Sequence, residues 1–113
     1  MRPLAAILLL AGTVATTACE PPTTCEAAIG LAFISEPVTV RVRMQAIAWR
    51  ESRNVPGVVN GSGHTGCLQL STVHRARAAR LGFTWAQMRQ ALPNAIVAYD
   101  LWREQGWRPW STA

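Results

Sequence analysis

Carboxyl groups are scarce in this 113-residue chain, and one of them is placed to do proton chemistry. Of its six acidic residues, only Glu51, Asp100 and Glu104 lie beyond residue 36. Glu51 follows Ala48-Trp49-Arg50 at the end of a predicted helix and precedes a glycine-rich loop. A carboxyl group that faces a cleft while half covered by aromatic surface favours its protonated form. Glu51 is therefore our candidate for a general acid.

The other polar groups have simpler structural interpretations. Asp100 and Glu104 are four residues apart on one predicted helix, where we expect them on a solvated face. We expect His64 and His74 to lie at the surface or to order a loop rather than to act in catalysis. The chain has no Cys-x-x-Cys motif and no His/Cys cluster, so the sequence predicts no metal site.

A helix and the loop after it must position Glu51. Residues 54–66 contain Pro56 and four glycines, which predicts a loop or a short hairpin. The apolar residues over 38–48 alternate as in a strand but also fit helical spacing. Ser35 as an N-cap and the later motif around Glu51 favour a helix. Further helices are predicted over residues 26–34, over residues 71–81 ended by Gly82, from the Thr84 capping box to before Pro93, and from an N-cap at Asn94 to Gly106.

These elements predict a mainly α fold, one compact helical domain with the glycine-rich loop beside an active-site cleft. The length allows one small domain at most, and an apolar fraction of 50% argues against intrinsic disorder. We expect Trp85 and Trp102 to pack in the core.

The first residues indicate export. Met1-Arg2-Pro3, an apolar run over residues 4–14 and small residues before Cys19 are typical of a signal peptide over residues 1–18. Small residues before a cysteine also resemble a bacterial lipoprotein box, although Thr16 stands where Leu is usual. Cys19 is thus a candidate lipidation site, the alternative being ordinary secretion. Residues 19–24 form a linker, and residues 25–113 form the domain.

The remaining cysteines, Cys25 and Cys67, are predicted to form a disulfide, because two cysteines in an oxidising compartment form a natural pair. Two buried free thiols are the alternative. The formal net charge of +5 suits residence near anionic polymers such as a cell wall or lipid headgroups, although it also simply favours solubility. Export argues against nucleic acid as a partner.

Four blocks of sequence, in order, resemble the lysozyme-like lytic transglycosylases. Their similarity is greatest to the small actinobacterial and phage members and to the resuscitation-promoting-factor type. It extends over about residues 25–112. The blocks are Ala48-Trp49-Arg50-Glu51-Ser52, Asn60-Gly61-Ser62-Gly63-His64-Thr65-Gly66-Cys67-Leu68-Gln69, Asn94-Ala95-Ile96-Val97-Ala98 and Gly106-Trp107-Arg108-Pro109-Trp110-Ser111-Thr112.

The resemblance implies an α+β lysozyme-like fold and assigns roles to five residues. Glu51 would be the catalytic acid and Ser52 would support it, while Gln69 would line the sugar cleft. Trp107 and Trp110 would form a wall for the apolar faces of sugar rings. For Gln69 an amide bonded to loop backbone is the alternative. The chain departs from the family pattern at Cys67, where Leu is usual, and at Trp49, where many small relatives have Cys.

The resemblance also implies a substrate, the glycan strands of peptidoglycan. Glycosidases usually need two carboxylates, and no second one is well placed here, so we expect a single-acid reaction that forms a 1,6-anhydromuramyl product. The alternatives are a hydrolytic lysozyme and an inactive wall-binding lipoprotein of the same fold. We expect no cofactor, a monomer, an envelope or secreted location, and membrane contact only through a lipid on Cys19.

Overall fold

The computed structural model describes residues 20–111. The predicted signal peptide and Cys19 lie outside this range, so lipidation at Cys19 stays a prediction. In the described part of the chain no helix has the length and apolar character to cross a membrane.

Helix α1 spans Cys25–Ala32 and confirms the helix predicted over residues 26–34. The side chain of Thr24 caps it by accepting a hydrogen bond from the backbone N–H of Ala27 at 3.2 Å. Its buried face, Cys25, Ala28 and Ile29, packs against the two long helices.

Helix α2 spans Val38–Ser52, so the helical interpretation of residues 38–48 is confirmed and Glu51 lies in the last turn. The alternating valines are not the core: Val38 and Val42 are exposed, and Met44, Ile47 and Ala48 are buried at helical spacing. The predicted Ser35 cap is wrong. Extended Pro37 is the residue before the helix, and the Ser35 hydroxyl instead lies 3.0 Å from the Tyr99 hydroxyl.

The chain between the long helices forms shorter helical turns than the sequence predicts. The stretch predicted as one helix over residues 71–81 is a 3₁₀ turn, Thr72–His74, followed by helix α3, Arg75–Arg80. Gly82 follows with a positive φ of +93°, as its predicted stop position requires. The Thr84 capping box is present, but it begins a 3₁₀ helix, Trp85–Arg89, rather than an α-helix.

Helix α4 spans Ala91–Gln105 and ends at Gly106, as predicted. The predicted N-cap at Asn94 is wrong, because the helix begins three residues earlier. Pro93 is accommodated because the N–H groups of a first turn have no intrahelical partner. A last 3₁₀ turn, Arg108–Trp110, follows.

The core lies between α1, α2 and α4. Fully buried Phe33 contacts the rings of Tyr99 and Trp102 edge-on, at centroid distances of 4.9 and 5.9 Å. Trp85 and Trp102 are partly buried against the core, as predicted. The fold class predicted from the sequence is confirmed at this level, a compact and mainly helical domain.

A disulfide joins Cys25 of α1 to Cys67 in the glycine-rich region, the pairing that the sequence predicts. Both residues are fully buried, and 42 positions separate them in sequence. The bond therefore ties the segment just before Gln69 to the core.

Replacing both cysteines by Ser, which leaves no unpaired thiol, is expected to lower the free energy of unfolding by about 3–4 kcal/mol, because the unfolded chain regains the entropy of a long open loop. Urea unfolding of the double variant against the oxidised wild type measures this. The wild type with reductant should match the variant; equal midpoints for all three samples would contradict the expectation.

Candidate active site

The glycine-rich loop is held in one conformation by a buried amide. Within α4, Asn94 is fully buried, and its Oδ1 accepts a hydrogen bond from the N–H of Leu68 at 3.1 Å. Its Nδ2 donates to the carbonyls of Thr65 and Met88, both at 2.9 Å. Two of these bonds hold the loop, at Thr65 and Leu68, and the third joins it to the 3₁₀ helix that contains Met88.

Gly66 permits this close contact. Its φ is +82°, and a Cβ atom there would lie 2.1 Å from the Met88 carbonyl oxygen and 2.2 Å from Asn94 Nδ2. The predicted hairpin is reduced to isolated bridges that pair Thr65 with Val59 and with Leu70. At the loop tip, Asn60 Oδ1 accepts hydrogen bonds from the N–H groups of Ser62 and His64.

A pocket of about 160 Å³ brings together three of the five residues to which the sequence assigns a role in the site. Glu51 from α2, Gln69 from the loop and Trp110 from the last 3₁₀ turn line it. The other lining residues are His64, Leu70, Ser71, His74, Leu101 and Pro109. Residues about 60 positions apart in sequence thus meet at one surface.

The Glu51 carboxyl is partly accessible, with 26% of its side chain exposed. Its Oε2 lies 3.3 Å from Arg50 Nη2, and the same nitrogen donates a 2.7 Å hydrogen bond to the carbonyl oxygen of Trp110. Arg50 therefore links the acid to the C-terminal turn.

Gln69 adopts a positive φ of 50°, and its side-chain Nε2 donates to the carbonyls of Val58 and Gly66. This is the alternative that the sequence leaves open, an amide bonded to loop backbone. Because the amide hydrogens serve the loop, the carbonyl oxygen is the group that Gln69 can offer to a ligand.

Trp110 is a packed wall rather than an open platform. It is 5% exposed, and its indole Nε1 donates to the carbonyl of Leu68 at 3.1 Å. Trp110 thus lines the Glu51 pocket and also belongs to the core. The same bond fixes the C-terminal turn to the loop that carries Gln69.

Two of the assigned residues do not reach this pocket. Ser52 is buried, and its hydroxyl donates to the Ala48 carbonyl of its own helix at 3.0 Å. Its position continues the buried face through Met44 and Ala48, so Ser52 does not line the pocket, and its supporting role stays a prediction. Trp107 lines a separate, neighbouring pocket, where the Arg43 guanidinium lies over its ring.

Asp100 and Glu104 lie outside the Glu51 pocket, but they do more than face solvent. Both carboxylates bond to Arg77 of α3, whose side chain is only 12% exposed, and Asp100 also pairs with Arg80. They therefore fasten α3 to α4. Among the described residues that line the pocket, Glu51 is the one carboxyl group.

The two histidines are nearer the acid than the sequence suggests, because both line its pocket. Burial, and then the positive charge of Arg77, lower the pKa of His74 below 6.5, while Glu104 acts weakly in the opposite direction. His74 is therefore a neutral imidazole at pH 7. The sequence feature that could have placed His74 at the site is its position five residues after Gln69, beyond a short turn.

The described residues contain no group of three or more His, Cys, Asp or Glu side chains arranged to hold a metal ion. Comparison of the chain with protein-family models, with curated proteins and with solved structures gives no match.

Replacing Asn94 by Ala is expected to destabilise the domain by several kcal/mol, because three buried backbone groups lose their partner at about 1–3 kcal/mol each. Urea unfolding measures the loss. Asn60→Ala is the matched control, since its two backbone bonds are exposed and should matter by about 1 kcal/mol or less. Similar losses for the two variants would contradict the role given to Asn94.

Acidification is expected to destabilise the domain through His74. Its pKa is lowered on folding, so the unfolded chain binds more protons as the pH falls below 6.5, and stability drops until the folded-state pKa is passed. Melting temperatures of wild type and His74→Gln between pH 8 and pH 4.5 measure this. The variant should lose less stability over that range; parallel curves would be inconsistent with this expectation.

Proposed function

We propose that this chain is an exported enzyme that cleaves the β-1,4 bond between N-acetylmuramic acid and N-acetylglucosamine in peptidoglycan, with Glu51 as its one acid–base group. The observation that carries the proposal is the shared pocket of Glu51, Gln69 and Trp110. These residues come from three of the four sequence blocks of the family resemblance. The remaining block, the third in chain order, supplies Asn94, which holds the Gln69 loop.

A single acid favours transglycosylation over hydrolysis. Hydrolases of the common types need a second carboxylate about 5–9.5 Å from the first. Asp100 and Glu104, the two acids of α4, are bonded to Arg77 instead. The muramyl sugar supplies what the protein lacks, since its acetamido group stabilises positive charge at C1 and its C6 hydroxyl is a built-in nucleophile.

The reaction has two proton transfers, one from Glu51 to the glycosidic oxygen and one from the C6 hydroxyl to Glu51. Protonated Glu51 donates to the bridging glycosidic oxygen, which keeps the electron pair of the breaking C1–O bond. The Glu51 carboxylate then accepts the proton of the C6 hydroxyl as that oxygen bonds to C1. Glu51 is protonated again at the end, and the product is a 1,6-anhydro sugar formed without water.

The surroundings of Glu51 suit this cycle in one respect and oppose it in another. Partial exposure on the pocket wall lets the carboxyl reach a ligand. The ion pair with Arg50, 3.3 Å away, must loosen before that carboxyl oxygen can meet the glycosidic oxygen of a ligand.

A wall-binding protein of the same fold that does not cleave is the second candidate. The observation that favours it is the size of the Glu51 pocket, which at about 160 Å³ is below the usual range of ligand pockets, about 300–1,000 Å³. Both candidates share an envelope or secreted location, a monomeric state and the glycan strand as partner.

Glu51→Gln is expected to lower peptidoglycan cleavage by at least about 100-fold, because loss of a general acid–base group costs about 10²–10⁴. Clearing of a peptidoglycan gel and release of soluble muropeptides measure it. Glu26→Gln, an exposed carboxyl on α1, is the matched control and should keep full activity.

Mass spectrometry of the products separates the candidates. Anhydro products are lighter by one water than hydrolysed ones. Products with the mass of the hydrolysed sugar would therefore show that the enzyme is a hydrolase. Equal cleavage by wild type and Glu51→Gln would show that Glu51 takes no part in the reaction. Binding to peptidoglycan without any cleavage would contradict the enzyme and support the wall-binding protein.

A further inference from the structure

A second pocket adjoins the Glu51 pocket and has a different character. Its volume is about 480 Å³, three times that of its neighbour. Two arginines of α2, Arg43 and Arg50, and two indoles of the C-terminal turn, Trp107 and Trp110, line it. Arg50 and Trp110 also belong to the surroundings of Glu51, so the two pockets share a wall.

The positive charge of this pocket is only partly compensated. Among the described residues, no carboxylate lies within 4 Å of the Arg43 guanidinium. Arg43 instead lies over the Trp107 ring, 4.1 Å from its centroid, which fixes the cation without neutralising it. Arg50 is 45% exposed and shares one nitrogen between Glu51 and the Trp110 carbonyl.

Guanidinium groups and indole surface recognise different parts of one kind of ligand. A guanidinium binds carboxylate or phosphate through paired N–H donors, and the face or edge of an indole contacts the apolar C–H face of a sugar ring. We propose that this second pocket binds an anionic saccharide, with the negative group on Arg43 and Arg50 and the sugar ring on Trp107.

The proposal deepens the proposed function, on which the choice of a wall saccharide rests. The negative group is either a carboxylate, as on a muramyl sugar without its peptide, or a phosphate, as on a wall polymer. Its binding to Arg50 would compete with Glu51 for the same guanidinium. An anion in the second pocket thereby weakens the contact between Arg50 and Glu51.

Binding is measured on the Glu51→Gln chain, so that cleavage does not interfere. N-acetylmuramic acid, N-acetylglucosamine 6-phosphate and neutral N-acetylglucosamine are titrated separately, and the indole N–H resonance of Trp107 is followed by NMR. We expect at least one anionic sugar to bind about fivefold tighter than the neutral sugar, with the difference shrinking at high salt. The anion that binds tighter identifies the source.

Arg43→Gln, added to Glu51→Gln, is expected to remove this preference for the anion. Arg53→Gln is the matched control, because Arg53 also lies over an indole, that of Trp49 at 5.0 Å, but outside the pocket. Arg43→Lys keeps the charge and should retain a preference. Melting temperatures and unchanged binding of the neutral sugar show that the variants are folded.

Equal affinity for anionic and neutral sugars, or a preference that survives Arg43→Gln, would overturn the proposal. Failure here is distinct from failure of the proposed function. If the chain cleaves peptidoglycan but does not prefer anionic sugars, the proposed enzyme stands and the proposed role of the second pocket is wrong. If the chain prefers anionic sugars but never cleaves peptidoglycan, the second pocket is a binding site of a wall-binding protein and the proposed enzyme is wrong.

Discussion

The buried amide of Asn94 joins the helical core to the loop on which the candidate site is built. The regular pairing of the loop is limited to isolated bridges, and Gln69 follows directly on Leu68, whose N–H donates to Asn94. A buried amide stabilises when each of its groups is bonded and destabilises when one is not. The position of Gln69 relative to Glu51 therefore depends on a side chain that touches neither residue's reactive atoms.

A second network completes the site from the C-terminal side. The Trp110 indole donates to Leu68, and the Trp110 carbonyl accepts from Arg50 beside Glu51. The loop, the last turn and the end of α2 are thus bonded in sequence. This arrangement explains how a short 3₁₀ turn, which has little stability of its own, becomes part of a defined wall. It also places one arginine between an acid and a larger pocket.

Local signals in the sequence predicted much of this structure. The motif around Glu51 favoured the helix that became α2, where periodicity alone was ambiguous, and Gly82 and Gly106 marked where helices end. The disulfide followed from compartment and cysteine count. Glu51, Gln69 and Trp110 were placed at a common site by resemblance of short motifs. Each of these signals lies within a few residues of the feature that it predicts, or is a count over the whole chain.

Several of the failures share one physical cause, which is that the competing partner is distant in sequence. Asn94 has the residue type of an N-cap, but its partner Leu68 is 26 positions away, and the helix begins earlier. Trp107 carries a family-like motif, yet stacking with Arg43 keeps it beside a different pocket. His74 lines the Glu51 pocket from the 3₁₀ turn Thr72–His74, in a stretch where one continuous helix was predicted.

The disulfide has a consequence for when the pocket near Glu51 can exist. Cys67 is two residues from Gln69, and its only covalent tether to α1 forms by oxidation. In the reducing interior of a cell the newly made chain lacks this tether, and the loop is less firmly held. If the chain is exported as proposed, its finished groove would exist only after it has reached an oxidising compartment.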